Sequence, residues 1–132
     1  MDTKFITWND VSKAAKKVAK QIKDLNYKKI ILYGIPNGGI YAAQAVYAEL
    51  IRMKQTAELT TNTYTSNIYI DDILDSGHTK EKYNNKPFFT LFTKKRKSQW
   101  YLFPWEEIKN ENGPIENIKR LIQYIGDDPN RE

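Results

Sequence analysis

The chain has no cysteine and a single histidine, His78, among its 132 residues. The first absence excludes a disulfide framework and any thiolate metal site; the second excludes a multi-histidine metal centre. Any metal used here must be held by oxygen. Long apolar runs are missing too: nothing approaches the roughly 18–20 residues of a membrane span, and the charged amino-terminal stretch lacks the apolar centre of a signal peptide. A soluble, cytoplasmic protein is the expectation, with one domain's length and room for one core. What the chain has in excess is positive charge. Lys and Arg outnumber Asp and Glu by 21 to 16, a net +5, with much of the surplus in residues 13–29 and in KKRK at 94–97. Such a surface suits a polyanion, either a nucleic acid or a small phosphorylated substrate. The basic run is not interleaved with aromatics in a recognised nucleic-acid motif, which makes it a solvated loop or a weak nucleic-acid patch.

Hydrophobic periodicity predicts an amphipathic helix over residues 7–25, with Val11, Ala14, Ala15, Val18, Ile22 and Leu25 on one face and Thr7 and Asp10 spaced as a capping box. IILY (30–33) reads as a buried strand, GIPNGG (34–39) as a glycine loop, and GIYAAQAVYAELIR (39–52) as a helix apolar nearly all round. The polar, threonine-rich residues 54–67 predict a connection or a pair of weak edge strands. NIYI (67–70) predicts a strand, DDILDSGHT a loop, the following TKEKYNN a short helix at most, and PFFTLFT (87–93) another buried strand. Repeated strand–loop–helix units imply an α/β fold whose sheet is mainly parallel, with ligands in the crevice at the carboxyl ends of its strands.

Both unusual loops fall at that edge. Asp71 and Asp72 suit either the vicinal hydroxyls of a sugar or the water shell of magnesium. Asp75, Ser76, Gly77, His78 and Thr79 form a turn into a helix where backbone amides and hydroxyls can converge on a phosphate. Gly38 and Gly39 allow backbone approach to a second phosphate. Singly, each feature is also compatible with a solvated turn; at one sheet edge together they favour a phosphosugar site.

IYIDDILDSGHT (68–79) resembles, position by position, the phosphoribosyl pyrophosphate signature of type I phosphoribosyltransferases. The resemblance implies that family's fold, with helices flanking a twisted sheet and a reduced hood and lid. It implies that Asp71 and Asp72 bind the ribose hydroxyls and touch magnesium indirectly, through substrate or water. Asp75 would assist deprotonation of the purine, and residues 75–79 would hold the 5-phosphate, His78 filling the signature's variable position. The likeness extends over roughly residues 4–107 toward the xanthine-guanine branch. IPNGGI lies where that branch reads Ser-Arg-Gly-Gly, which places pyrophosphate binding on Pro36, Asn37, Gly38 and Gly39. TLFTKK and SQWYLFPWEE are similar to its purine-binding segments, which places base recognition on Lys94, Trp100 and Tyr101. A cation at Lys94 suits an oxopurine, because adenine offers an amino group instead of an acceptor there. Phe103 and Trp105 are as well explained as core or interface aromatics.

The implied activity is a glycosyl transfer of purine salvage, from phosphoribosyl pyrophosphate to guanine, xanthine or hypoxanthine, with magnesium as cofactor, no nucleic acid or membrane as partner, and a homodimer or tetramer as the assembly. The chain departs from the pattern in three places. Asn37 stands where arginine is usual, the link through TTNTYTSN is shorter than the usual strands and lid, and the helix after the signature is abbreviated. A non-catalytic module that binds a nucleotide or phosphoribosyl pyrophosphate on the same fold therefore stays open. Residues 1–110 are expected to form the phosphoribosyltransferase domain. The tail, GPIENIKRLIQYIGDDPNRE, predicts a helix with Ile115, Ile118, Leu121, Ile122 and Ile125 on one side, closed by Gly126. It resembles the amino terminus of GTP cyclohydrolase I, which would make residues 111–132 the start of a fused domain; a docking helix is the alternative.

Overall fold

The computed structural model describes residues 2–74, 77–94 and 99–106. The elements are β1 (Asp2–Phe5), α1 (Trp8–Lys23), β2 (Ile30–Gly34), α2 (Gly38–Arg52), β3 (Ala57–Thr60), β4 (Ile68–Leu74), α3 (His78–Lys82), β5 (Phe88–Thr93) and β6 (Gln99–Leu102). The capping box forms as its spacing predicts: Asp10 N donates to Thr7 Oγ1 and Thr7 N to Asp10 Oδ2, each at 3.0 Å. That satisfies two of the amides a helix start leaves open and sets where α1 begins. Leu25 falls beyond the helix end and is exposed, so the apolar stripe closes at Ile22.

Every strand pair is parallel. The main sheet has the order β3-β2-β4-β5, and β1 pairs with β6 in a separate two-stranded sheet. Helices α1 and α2 pack on each other, with α2 lying over β2 and β4 and α1 reaching β5. The core between them is Val11, Ala15, Val18 and Ile22 of α1, Ala42, Val46 and Leu50 of α2, and Ile30, Leu32, Ile68 and Ile70 of the strands. Contrary to the pattern of its sequence, α2 is buried on one face only: Ile40, Tyr41 and Ile51 are exposed on it. Among the described residues no helix is long and apolar enough to cross a membrane.

Two differences from the sequence reading bear on the site. β4 does not stop at Ile70; it pairs with β5 through Leu74, so both aspartates stand on the strand itself. Residues 54–67 supply one edge strand, β3, and a return connection. Lys86 Nζ donates to Thr63 O and, at 3.3 Å, to Ser66 Oγ. Asn67 Oδ1 accepts from Ile31 N and its Nδ2 donates to Lys29 O, both at 2.8 Å. These bonds tie the threonine-rich connection to the ends where β2, β4 and β5 begin, opposite the carboxyl edge.

Candidate functional site

β3 lies on one side of β2 and β4 on the other, so the strand order reverses beside β2. Connections leave the carboxyl ends of β2 and β4 in opposite directions there, which opens a crevice between them. The glycine loop after β2 is pinned into it by Ile35 N, which donates to Ile70 O at 2.9 Å. The packing leaves no room for side chains: a Cβ on Gly38 would lie 1.9 Å from Asp72 Oδ2, and one on Gly39 2.7 Å from Ile70 O. The start of α2 therefore sits directly against the two aspartates of β4. Asn37 caps this helix without a side-chain hydrogen bond, and the partial positive charge of the helix start faces the crevice.

The paired carboxylates differ in surroundings. Asp71 is buried, and its Oδ1 accepts from Asp72 N at 2.9 Å; Asp72 is half-buried, and its Oδ1 accepts from Ile73 N at 2.8 Å. Desolvation, followed by the charge of Asp72, pushes the Asp71 carboxyl up to about 7 from 3.8. Between those values the folded protein keeps a proton that the unfolded chain has released, so this group's contribution to stability falls as pH rises from about 4 through 7. Asp71→Asn keeps the acceptor for Asp72 N and removes the buried charge. It is expected to stabilise the protein at pH 8 by on the order of 2 kcal/mol, after allowance for solvent screening, and to leave stability nearly unchanged at pH 4. Urea denaturation at the two pH values measures the difference; equal effects at both would contradict the assignment.

A cleft of about 620 Å³ opens beside Asp72. Its floor is Asn37, Gly38, Asp72 and Ile73. Its far wall is made by Lys94, which follows β5, by Trp100 and Tyr101 of β6, and by Phe103, Trp105 and Glu106 after it, while Tyr41 of α2 closes one side. Lys94 Nζ lies over the Trp100 ring, 5.9 Å from its centroid, and Trp100 is half exposed. Trp105 is stacked between Tyr41 (5.3 Å, 2°) and Phe103 (4.9 Å, 8°). Glu106 Oε1 accepts from Phe103 N at 3.0 Å, which closes a tight turn; burial, outweighing that hydrogen bond, and the charge of Asp72 raise its carboxyl above the usual range.

The structure thus brings Asn37, Gly38, Asp72, Lys94, Trp100 and Tyr101 to one cleft, with Asp71 and Gly39 packed beneath it. Pro36 faces a second cavity, of about 460 Å³, beside Ile40 and Leu59. Gly77 adopts a left-handed conformation (φ 84°) that an L side chain would resist, and it starts α3, bringing His78 and Thr79 after it; these three do not line the cleft. Asp75 and Ser76 lie outside the described residues, as do residues 95–98 of the basic run and the whole tail from 107. Sequence reasoning missed Tyr41; it matched Pro104, Trp105 and Glu106 to the Pro-Trp-acid that follows the stacking tryptophan of the resembled family but gave them no role at the site. Trp105 both packs on the core and walls the cleft.

The donor set also bears on magnesium. Among the described residues no three acidic or histidine side chains form a metal cage. Two adjacent carboxylates on the strand beside the crevice fit an ion that keeps most of its ligands as phosphate oxygens and water, which is how magnesium is commonly held.

A parallel sheet with a crevice at its strand reversal, a signature strand bearing two aspartates and a small separate sheet overhanging them define the type I phosphoribosyltransferase fold. Comparison with solved structures agrees. The chain superposes on a purine phosphoribosyltransferase from Pyrococcus horikoshii with a TM-score of 0.56 and 19% identity, covering 83% of this chain and 97% of that one. It also superposes on a hypothetical protein from Neisseria gonorrhoeae with bound ppGpp, with a TM-score of 0.60 and 14% identity, covering 92% and 96%. No model of a known family and no curated protein matches the sequence.

Proposed function

We propose that this protein is a purine phosphoribosyltransferase that transfers ribose 5-phosphate from phosphoribosyl pyrophosphate to an oxopurine, in purine salvage. The observation that carries the reading is the convergence, on one cleft, of Asp72 of β4 with Asp71 packed beneath it, the glycine loop packed against them, and Lys94 with Trp100 opposite. In this arrangement the purine lies on Trp100 with its exocyclic oxygen toward Lys94, and Asp71 and Asp72 face the ribose hydroxyls. The anomeric carbon loses its bond to the pyrophosphate oxygen, which leaves with the electron pair, and gains a bond to a purine ring nitrogen. The carboxylates oppose the positive charge that develops on the sugar, and the amides at the start of α2 face the departing anion. Asp75, by its place in the signature, takes the proton released by the purine. Bound magnesium would supply charge neutralisation of the pyrophosphate.

The test is product formation, followed by liquid chromatography, with phosphoribosyl pyrophosphate, magnesium and each of guanine, hypoxanthine, xanthine and adenine. The expected result is a nucleoside monophosphate from an oxopurine and none from adenine, with turnover lost in Asp71→Asn/Asp72→Asn. No turnover by a folded sample would instead support a second reading, a nucleotide-binding regulatory module. Asn37 favours that alternative, because it removes the charge and bidentate donor that an arginine would bring to pyrophosphate. The ppGpp bound by the Neisseria protein of the same fold favours it as well.

A further inference from the structure

Away from the cleft, α2 and β3, the edge strand of the main sheet, leave an apolar groove between them that nothing covers among the described residues. Ile40, Gln44, Tyr47 and Ile51 follow one another at i, i+4, i+7 and i+11 along one face of α2. Ile40 and Ile51 are 44% and 46% exposed, and Leu59 of β3, across the groove, is 41% exposed. Ile40, Ala43, Gln44 and Leu59 line the cavity of about 460 Å³ there. No charged residue occurs in α2 before Glu49, which is buried and paired with Arg52. An uncharged helix face of this length beside an open cavity has the character of a docking surface rather than a solvated one.

The tail carries a surface to match. Residues 107–132 lie outside the described residues, and at helical spacing their sequence sets Ile115, Ile118, Leu121, Ile122 and Ile125 on one side, with Glu116, Lys119, Arg120 and Gln123 on the other. We propose that this tail docks as a helix, within the same chain, into the groove between α2 and β3. The lengths agree: α2 rises about 17 Å from Ile40 to Ile51, and a helix from Ile115 to Ile125 rises about 15 Å. The path is short as well. Trp105 is stacked on Tyr41, so Glu106 follows it beside the start of α2, where Ile40 opens the groove. The eight residues 107–114 span up to about 26 Å, roughly twice the width of a helix. A segment tethered this closely meets the groove at an effective concentration on the order of millimolar, far above that of a second copy in a micromolar sample. Docking removes the five aliphatic side chains of the tail from water together with Ile40, Ile51 and Leu59, while the charged side of the tail stays outside. The inference does not depend on the chemistry proposed for the cleft.

Because the chain has no cysteine, disulfide trapping in the whole chain tests this cleanly. Gln44→Cys/Leu121→Cys places one thiol near the middle of each apolar stripe, so it reports docking in either direction along α2. Gln21→Cys/Leu121→Cys is the control, its first thiol on the exposed face of α1; Gln21 and Gln44 are both exposed, so neither change disturbs the core. On oxidation at micromolar concentration, the first pair is expected to form an intramolecular disulfide at least about tenfold faster than the control, seen as a faster-migrating monomer on a non-reducing gel. Adding Ile51→Asp sets a charge at a half-exposed position that only a docked segment would bury, and it should slow the trapping by about tenfold. Equal rates for the two pairs, or a rate that Ile51→Asp leaves unchanged, would overturn the inference. A disulfide-linked dimer in place of the cross-linked monomer would overturn it too, and would give the groove to a second copy of the chain.

Discussion

Gly38→Ala is expected to weaken binding of phosphoribosyl pyrophosphate by about 100-fold, equivalent to roughly 2.7 kcal/mol, while changing the melting temperature by only a few degrees. The new Cβ would lie 1.9 Å from Asp72 Oδ2 and 2.6 Å from its Cγ, and nothing else stands closer than these side-chain atoms. A side chain can rotate, so the fold relieves the clash by turning the Asp72 carboxylate out of its place. That movement breaks its bond to Ile73 N and takes the carboxylate from the cleft floor. A methyl group also holds an anion away from the amides at the start of α2. Calorimetric titration with phosphoribosyl pyrophosphate and magnesium, set beside thermal denaturation, separates the two effects. An unfolded variant, or one with wild-type affinity, would show that Gly38 and Asp72 are not placed as described.

Gly39→Ala, one residue further on, is expected to fail differently. Here the Cβ would meet Ile70 O at 2.7 Å and Asp71 Cα at 3.2 Å, atoms of the central strand that cannot rotate away. Gly34→Ala has the same character, with Gly39 O at 2.5 Å and Ile40 Cα at 2.8 Å. Either substitution must push the start of α2 off the sheet, from β4 for Gly39→Ala and from β2 for Gly34→Ala, and α2 contributes Ala42, Val46 and Leu50 to the core. Overpacking against backbone of this kind costs about 3 kcal/mol, a large share of the stability of a domain this size. Urea denaturation should therefore show a lower midpoint for Gly39→Ala and Gly34→Ala than for Gly38→Ala. The contrast between neighbouring glycines is the measurement: a stability loss shared equally by all three would mean that the loop does not approach β4 as closely as the distances state.

The glycines and aspartates on which these expectations rest were legible in the sequence because their information is local. A capping box, an apolar run ending in a glycine loop, and two acids after IYI each declare themselves within a few residues, through hydrogen-bonding reach and backbone freedom. The parallel α/β class followed from the order of such units, since parallel strands require crossovers. The oxopurine expectation for Lys94 and Trp100 came instead from the family resemblance of TLFTKK and SQWYLFPWEE.

What tertiary structure alone decided is which distant segments meet. β1 pairs with β6 in the register Thr3↔Trp100 and Phe5↔Leu102, nearly the whole described chain apart, and no periodicity within either strand announces that partner. The place of β2 between β3 and β4, and with it the crevice, depends equally on non-local pairing. The Asp71 carboxyl could be recognised as an acid from its letter, but its rise to about 7 comes from burial and from the neighbouring charge. Tyr41 sits on what reads as an ordinary helix turn, and Trp105 and Glu106 in a Pro-Trp-acid run whose spacing assigns neither of them a contact. They become one cleft wall only because the turn after β6 folds back over the start of α2, where ring stacking and the two hydrogen bonds between Phe103 and Glu106 hold them. The sequence by itself therefore determined the chemistry available to this protein, because side-chain type and short-range spacing are properties of the chain. Which of those groups face one ligand was left to the packing, because a contact between residues far apart exists only once the intervening chain has closed around a core.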